Sequence, residues 1–128
     1  MSTKRILIID DAATVRMYHR SILEGAGYEV AEAVNGIEAL EKALAAEEAF
    51  DLYLVDINMP KMDGYSFLRE LRQQAIRQTP AIMISTEEQN QDRARAFEAG
   101  ANFYLKKPIK PDDLVAYVRF LLVGGRKS

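Results

Sequence analysis

Residues 52–71, LYLVDINMPKMDGYSFLREL, contain one strand, one turn and one helix, and they indicate the fold of the whole chain. The apolar run at 52–55 is continuous rather than alternating, which is typical of a strand buried on both faces of a parallel sheet. MPKMDG at 59–64 has the composition of a turn, and apolar residues at helical spacing then continue to about Gln74. The stretch therefore predicts one βα unit.

The same alternation of strand and helix occurs four more times along the chain. The other predicted strands are 6–9, 28–33, 81–84 and 102–106, and the other predicted helices are 12–25, 36–48, 88–99 and a last one that begins at Pro111 and ends at Gly124. Proline at a first helical position, followed by two acids, is a helix start signal. Five such units predict a (βα)5 doubly wound parallel sheet with helices on both faces.

Composition limits the class of protein. A chain of 128 residues that is 48% hydrophobic is expected to form one domain, 1–128, with its core at about 4–123 and no output domain. The net charge is only -2, which argues against nucleic acid or a membrane surface as the main partner. The absence of cysteine excludes disulfides and thiolate metal sites. No segment approaches membrane-spanning length, so a cytoplasmic location is the default expectation.

Polar side chains follow four of the apolar runs. They are Asp10 and Asp11 after the first run, Asp56 after the third, Ser85 after the fourth and Lys107 after the fifth. The carboxyl ends of parallel strands form one edge of the sheet, where open α/β folds place their sites. This edge would therefore carry three carboxylates, a hydroxyl and an ammonium group.

The three carboxylates indicate a cation. In the flavodoxin-like strand order 2-1-3-4-5, Asp56 lies about 4.8 Å, one strand spacing, from Asp10 and Asp11. Two carboxylates about 4 Å apart repel by about 4 kcal/mol at an effective dielectric constant of 20, and protonation or a cation removes that cost. Oxygen ligands alone favour Mg²⁺.

The lengths of the Ser85 and Lys107 side chains match their distances from Asp56. Ser85 is one strand beyond Asp56, within range of a short hydroxyl. Position 107 is two strands away, roughly 10 Å, where only a long side chain such as that of Lys107 arrives. Aspartyl phosphate formation, with a metal and a lysine sharing the charge of the transferring group, uses these groups.

Each of these residues also has an ordinary structural interpretation. Asp11 could cap a helix, Ser85 could begin a capping box, Asp56 could form an Asx turn, and Lys107 could be a solvated lysine at a strand end. Independent capping would not place a suitable residue after four strands while the second strand ends in Ala33. The combination therefore favours a site.

Four stretches together carry a resemblance to a known family: ILIIDD, VDINMPKMDGYSFL, MISTEE and AGANFYLKKPI. They make the chain similar to a response-regulator receiver domain, and most closely to a free-standing chemotaxis CheY-like one. The strand order used above is that of the family, which is an example of the flavodoxin-like order.

The resemblance implies specific roles. Asp56 would be the phospho-acceptor, Asp11 a direct Mg²⁺ ligand and Asp10 a ligand mainly through water. Asn58 would supply a further ligand through its backbone carbonyl, Ser85 the switch hydroxyl and Lys107 the invariant lysine. Tyr104 would be the aromatic that swings inward on activation. Asn58 and Glu87 would tune the lifetime of a short-lived phosphoryl group.

Some positions stay open. Thr86 stands beside Ser85 and could be the switch hydroxyl instead, although the spacing back from Lys107 favours Ser85. Strand alternation should point Lys106 away from the site. His19, the only histidine, is expected to be a solvated or partner-facing residue of the first helix.

The resemblance also implies partners. The donor would be a histidine kinase or phosphotransfer protein docking near the first helix. The chain, expected to be monomeric, would catalyse only its own phosphorylation and dephosphorylation. Phosphorylation would act on a protein target through the face made by helix 4, strand 5 and helix 5. Flagellar-motor control, a phosphorelay step and a phosphate sink are the candidate outputs.

Three other functions fit these residues less well. A haloacid-dehalogenase-type phosphatase requires Asp-x-Asp after the first strand, and Ala12 stands at the second position. A flavodoxin-like cofactor carrier would suffer repulsion between its phosphate and Asp10 and Asp11. An interaction module that cannot be phosphorylated is disfavoured by the intact Asp56 and Lys107.

Overall fold

The structure, a computed structural model, describes residues 3–86 and 90–124. Within those ranges five strands alternate with five helices. In chain order they are β1 (Arg5–Ile9), α1 (Ala13–Gly25), β2 (Glu29–Ala33), α2 (Gly36–Ala45), β3 (Leu52–Asp56), α3 (Gly64–Arg72), β4 (Ala81–Ser85), α4 (Asn90–Ala99), β5 (Phe103–Lys106) and α5 (Pro111–Gly124). The strands form one parallel sheet in the order β2-β1-β3-β4-β5. The predicted (βα)5 fold and strand order are confirmed.

The register of the sheet aligns the carboxyl ends of the strands. Ile9 of β1 is paired with Ala33 of β2 and with Val55 of β3. Asp56 is paired with Ile84, and Ser85 with Lys106. The residues that follow β1, β3, β4 and β5 therefore meet at one edge.

Two apolar clusters cover the two faces of the sheet. Ile6 and Ile8 belong to the cluster that includes residues of α1 and α5, while Leu7 and Ile9 belong to the cluster beneath α2, α3 and α4. Successive residues of a strand point to opposite faces, so both need apolar side chains. This explains why the runs are continuous.

Helices α2 and α3 each begin with a side-chain cap. Asn35 accepts a hydrogen bond from the backbone N–H of Glu38 at 2.8 Å, and Asp63 accepts one from that of Ser66 at 2.8 Å. Both satisfy N–H groups that a helix start leaves unpaired. At the start of α1 the N-cap is Ala12, which makes no side-chain cap, so Asp11 does not cap that helix.

The buried faces of α2 and α5 differ from the sequence pattern. Ile37 and Leu44 are each 44% exposed, and the core side of α2 is lined by Ala39 and Ala43. Small residues allow α2 to lie close to its neighbours: a Cβ on Gly36 would come within 2.6 Å of the carbonyl oxygen of Met62. On α5, the helical spacing of the apolar residues predicts that Tyr117 faces inward, and this prediction is wrong, since that side chain is 36% exposed.

The expected solvation of His19 is also wrong, because α1 turns that residue toward the sheet and leaves it 2% exposed. Among the described residues, no helix combines the length and apolar character that a membrane crossing requires.

Candidate functional site

Three carboxylates converge at the carboxyl edge of the sheet. Asp10 and Asp11 follow β1, and Asp56 is the last residue of β3. One oxygen from each lies within 4.8 Å of the others. Asp10 and Asp56 are only 1% and 4% exposed, whereas Asp11 is exposed. The three acids predicted from the sequence are thus brought together, with one of them open to solvent.

Lys107 reaches the cluster from the end of β5, the edge strand of the sheet. Its Nζ lies 3.0 Å from Oδ2 of Asp10 and 3.0 Å from Oδ1 of Asp56. The backbone N–H of Lys107 donates to the carbonyl of Ser85 at 2.7 Å, and the Lys107–Pro108 bond is cis. Lys106 is exposed, in agreement with its predicted outward direction. The long side chain therefore spans the two strand spacings.

The electrostatics of the site are dominated by burial. The pKa of Asp56 is raised to about 6: burial is the main cause, the charge of Asp10 adds to it, and the hydrogen bond from Lys107 opposes both. Burial lowers the pKa of Lys107, but its bonds to Asp10 and Asp56 outweigh that effect and raise it overall. One ammonium between two carboxylates does not fully compensate the negative charge.

Asp10 is fixed on both of its oxygens. Oδ1 accepts the N–H of Ala12 at 2.9 Å, and Oδ2 is bonded to Lys107. Its backbone carbonyl accepts from Arg16 at 2.8 Å. Asp10 is therefore fixed in place by hydrogen bonds from Ala12, Arg16 and Lys107.

Gly64 shapes the segment after Asp56, and the sequence analysis did not single it out. Its N–H donates to the carbonyl of Ile57 at 2.9 Å, and a Cβ at this position would lie 2.6 Å from the carbonyl oxygen of Asp56. Only glycine fits so close to the backbone. The available signal was a glycine at the first position of α3, directly after its N-cap Asp63.

The two candidate hydroxyls differ in environment. Ser85 is 2% exposed at the end of β4, while Thr86 is exposed and lines a hollow between α1 and the segment after β5. Asn58, two residues beyond Asp56, is exposed. Glu87 lies outside the described residues.

Tyr104 is 3% exposed and belongs to the core cluster beneath α2, α3 and α4. It lies on β5, three residues before Lys107. The aromatic residue predicted to report on the site is therefore buried and joined to the site lysine by a short length of chain.

His19 lies on the other face of the sheet, in the hollow that Thr86 and Lys107 also line. Within residues 3–86 and 90–124, its Nδ1 has no hydrogen-bond partner. Burial lowers the pKa of His19, Asp10 opposes this, and Lys107 adds to it. The imidazole is accordingly neutral at physiological pH.

The donor set at this edge fits a hard divalent cation. Carboxylate oxygens are the ligands such ions prefer, and the cluster already holds the ammonium of Lys107 against two of them. The excess negative charge is what a divalent ion would neutralise.

A five-stranded parallel sheet in this order, with acids and a lysine at its carboxyl edge, defines a CheY-like domain of the flavodoxin-like class. The chain also matches the family model of the response regulator receiver domain over residues 6–119. It belongs to that family, the receiver domains of two-component systems.

Its relatives include two transcriptional regulatory proteins. The transcriptional regulatory protein ResD of Bacillus subtilis is 39% identical over 118 residues, and SrrA of Staphylococcus aureus is 38% identical over 120 residues. These alignments cover 92% and 94% of this chain, but the chain spans only 48% of each relative.

Solved structures give the same family. Chemotaxis protein CheY4 of Vibrio cholerae has a TM-score of 0.88 and 34% identity, covering 94% of this chain and 100% of that one. A CheY-like receiver domain protein of Methanospirillum hungatei has a TM-score of 0.84 and 34% identity, covering 96% of each chain.

Proposed function

We propose that this receiver domain is a phosphorylation-driven switch in which Asp56 accepts a phosphoryl group. The observation that carries the proposal is the bridge of Lys107 between Asp10 and Asp56, in a cluster with an excess of negative charge. A divalent cation would neutralise that excess charge, and the ammonium of Lys107 already lies beside Asp56, where it can pair with an incoming phosphoryl group.

Asp56 is favoured over Asp10 as the acceptor because both oxygens of Asp10 are engaged. In the proposed transfer, an oxygen of Asp56 forms a bond to phosphorus as the bond to the donor breaks, and the donor keeps that electron pair. Lys107 then pairs with the phosphoryl oxygens, because charge-assisted hydrogen bonds from an ammonium suit them.

Asp10, Asp11, Asp56 and the backbone carbonyl of Asn58 are the groups that would hold Mg²⁺. When bound, the ion would neutralise negative charge on the phosphoryl group being transferred. The enzymatic activity proposed is confined to phosphorylation and dephosphorylation of Asp56 itself, with Asn58 and Glu87 tuning the second step.

The phosphoryl donor in the proposal is a histidine kinase or phosphotransfer protein, the usual partners of the family. The phosphorylated form recruits the hydroxyl of Ser85, with Thr86 as the secondary candidate, and Tyr104 carries the change to the face made by α4, β5 and α5. That face binds a protein target.

Four outputs are candidates. Control of a flagellar motor, a relay step or a phosphate sink would use the receiver domain alone, and CheY4 is named as a chemotaxis protein. A role in transcription control is favoured by the names of ResD and SrrA. A pull-down comparing beryllofluoride-treated with untreated protein separates phosphorylation-dependent targets from constitutive ones.

The direct test is incubation with Mg²⁺ and acetyl phosphate, followed by intact-protein mass measurement. Wild type should gain one phosphoryl group, and Asp56→Asn should gain none. Glu41→Gln, which changes an exposed carboxylate on α2, is the matched control and should behave as wild type. Failure of wild type to gain phosphate, or equal labelling of Asp56→Asn, overturns the proposal.

A further inference from the structure

Helix α4 buries few large apolar side chains that could hold it against the sheet. Within its described residues, the buried side chains are Ala96 and Ala99, and Phe97 is 46% exposed. Burial of an alanine removes far less apolar area from water than burial of a leucine or phenylalanine. Other contacts must therefore contribute to the position of this helix.

Two arginines of α4 lie over tyrosine rings. The Cζ of Arg93 is 5.1 Å from the ring centroid of Tyr104, and the Cζ of Arg95 is 4.2 Å from that of Tyr65. Both distances are in the range of a cation–π interaction. The two arginines are exposed, so each covers its tyrosine from the solvent side.

The two pairs connect α4 to different parts of the domain. The guanidinium Nη1 of Arg93 also donates to the carbonyl oxygen of Tyr104 at 3.4 Å, so Arg93 contacts both the ring of Tyr104 and the backbone of β5. Arg95 covers a residue of α3, whose hydroxyl donates to the carbonyl of Asp92 at 3.1 Å. Arg93 alone of these two reaches the strand that leads to Lys107.

We propose that Arg93 is a positioning residue that holds Tyr104 in its buried position and thereby links α4 to the phosphorylation site. The inference rests on the proposed function, in which Tyr104 carries the change from Asp56 to the face made by α4, β5 and α5, with the inward ring position belonging to the phosphorylated state. Arg93 covers the inward ring and so favours the phosphorylated state. By linkage, anything that favours the inward ring raises the affinity of the site for a phosphoryl group.

The size of the effect follows from the exposure of Arg93. An exposed cation–π pair shifts the ratio of the two Tyr104 positions by about two- to fivefold. The affinity of the site for a phosphoryl group is therefore expected to change by at most the same factor, about two- to fivefold.

The first experiment measures Tyr104 directly. Protein labelled with 3-fluorotyrosine is studied by ¹⁹F NMR, the Tyr104 signal is assigned by its loss in Tyr104→Phe, and ring exposure is read from the shift between H₂O and D₂O. Arg93→Ala should increase the exposure of Tyr104. Arg95→Ala removes the same charge from the same helix and should leave the Tyr104 signal unchanged.

The second experiment measures the link to the site by titration with beryllofluoride in Mg²⁺. Arg93→Ala should bind about two- to fivefold more weakly than wild type, Arg93→Lys should recover part of the loss, and Arg95→Ala should match wild type. Absence of binding by wild type contradicts the proposed function, while the NMR measurement still tests Arg93. Equal effects of Arg93→Ala and Arg95→Ala in both experiments, or none from either, overturn the inference.

Discussion

Replacing Asp56 with asparagine should stabilise the metal-free protein at neutral pH and not at acid pH. The reason is the elevated pKa of Asp56, which rises from an ordinary 3.8 to about 6 because of burial and the neighbouring Asp10. A folded state with the higher pKa binds the proton more tightly than the unfolded state does. The free energy of unfolding of wild type therefore falls as pH rises from about 4 to about 6.

The magnitude follows from the shift in pKa. The difference between 3.8 and about 6 is roughly two pKa units, at about 1.4 kcal/mol for each unit. Ionised Asp56 therefore costs the folded protein about 3 kcal/mol above pH 6. Asparagine carries no charge and avoids this cost at every pH.

The assay is urea unfolding of wild type and Asp56→Asn in EDTA at pH 4.0 and pH 7.5. The advantage of Asp56→Asn should grow by about 2–3 kcal/mol between the two pH values, and Mg²⁺ added at pH 7.5 should reduce it. Other titrating groups, including His19, are common to both proteins and largely cancel in the difference. Glu41→Gln should show no such pH dependence.

A difference between the two proteins that is the same at both pH values would refute the reasoning. So would a lower stability of Asp56→Asn at pH 7.5, because the bond from Lys107 would then outweigh burial and repulsion together.

Three further predictions concern the surroundings of Asp56. Lys107→Met should lower the free energy of unfolding by about 3 kcal/mol at pH 7.5, because it leaves buried carboxylates without their cation, and by less at pH 5, where Asp56, with its pKa of about 6, is largely protonated; urea unfolding at both pH values measures this. His19→Leu should reduce the loss of stability on acidification, because the folded-state pKa of His19 is depressed below 6.5 and its contribution is lost as pH falls through that depressed value. Gly64→Ala should cost about 2 kcal/mol in chemical denaturation, since its Cβ meets the Asp56 carbonyl at 2.6 Å.

Each of these three predictions would be contradicted by a specific result. Gly25→Ala is the control for Gly64→Ala, because a Cβ there meets nothing within 4 Å, and equal effects of the two would contradict the packing argument. A loss in Lys107→Met that grows on acidification would contradict the charge argument. An acid transition in His19→Leu identical to that of wild type would mean that His19 is not protonated on unfolding.

The fold was predictable mainly because the three inner strands β1, β3 and β4 are buried on both faces. Runs such as 52–55 must be continuously apolar when helices cover both sides of a parallel sheet, so the periodicity is unambiguous. The strand order came from the resemblance, because alternation alone does not specify which strands are neighbours. The inward faces of α2 and α5 were less predictable, since alanines can line a closely packed helix and leave Ile37 or Tyr117 outside.

The candidate site was predictable as a set of residue types at strand ends. The approach of Lys107 to Asp56 follows from the length of a lysine side chain and the two strand spacings between them, whereas its contact with Asp10, one strand farther away, was not predicted. The burial of His19 was not predictable, because it depends on the rotation of α1 about its axis. Arg93 was missed as well, since an exposed arginine on a polar helix carries no pattern that names the ring it covers.

The charge of the cluster at the carboxyl edge equals the charge of the entire chain. Three carboxylates and one ammonium sum to -2, and the chain as a whole has a formal net charge of -2, so all the remaining residues balance to zero. A divalent cation held at this edge would bring the chain to formal neutrality, and a phosphoryl group would make it negative again. Electrophoretic mobility under native conditions would therefore follow the occupancy of this one site, with almost no background from the rest of the surface.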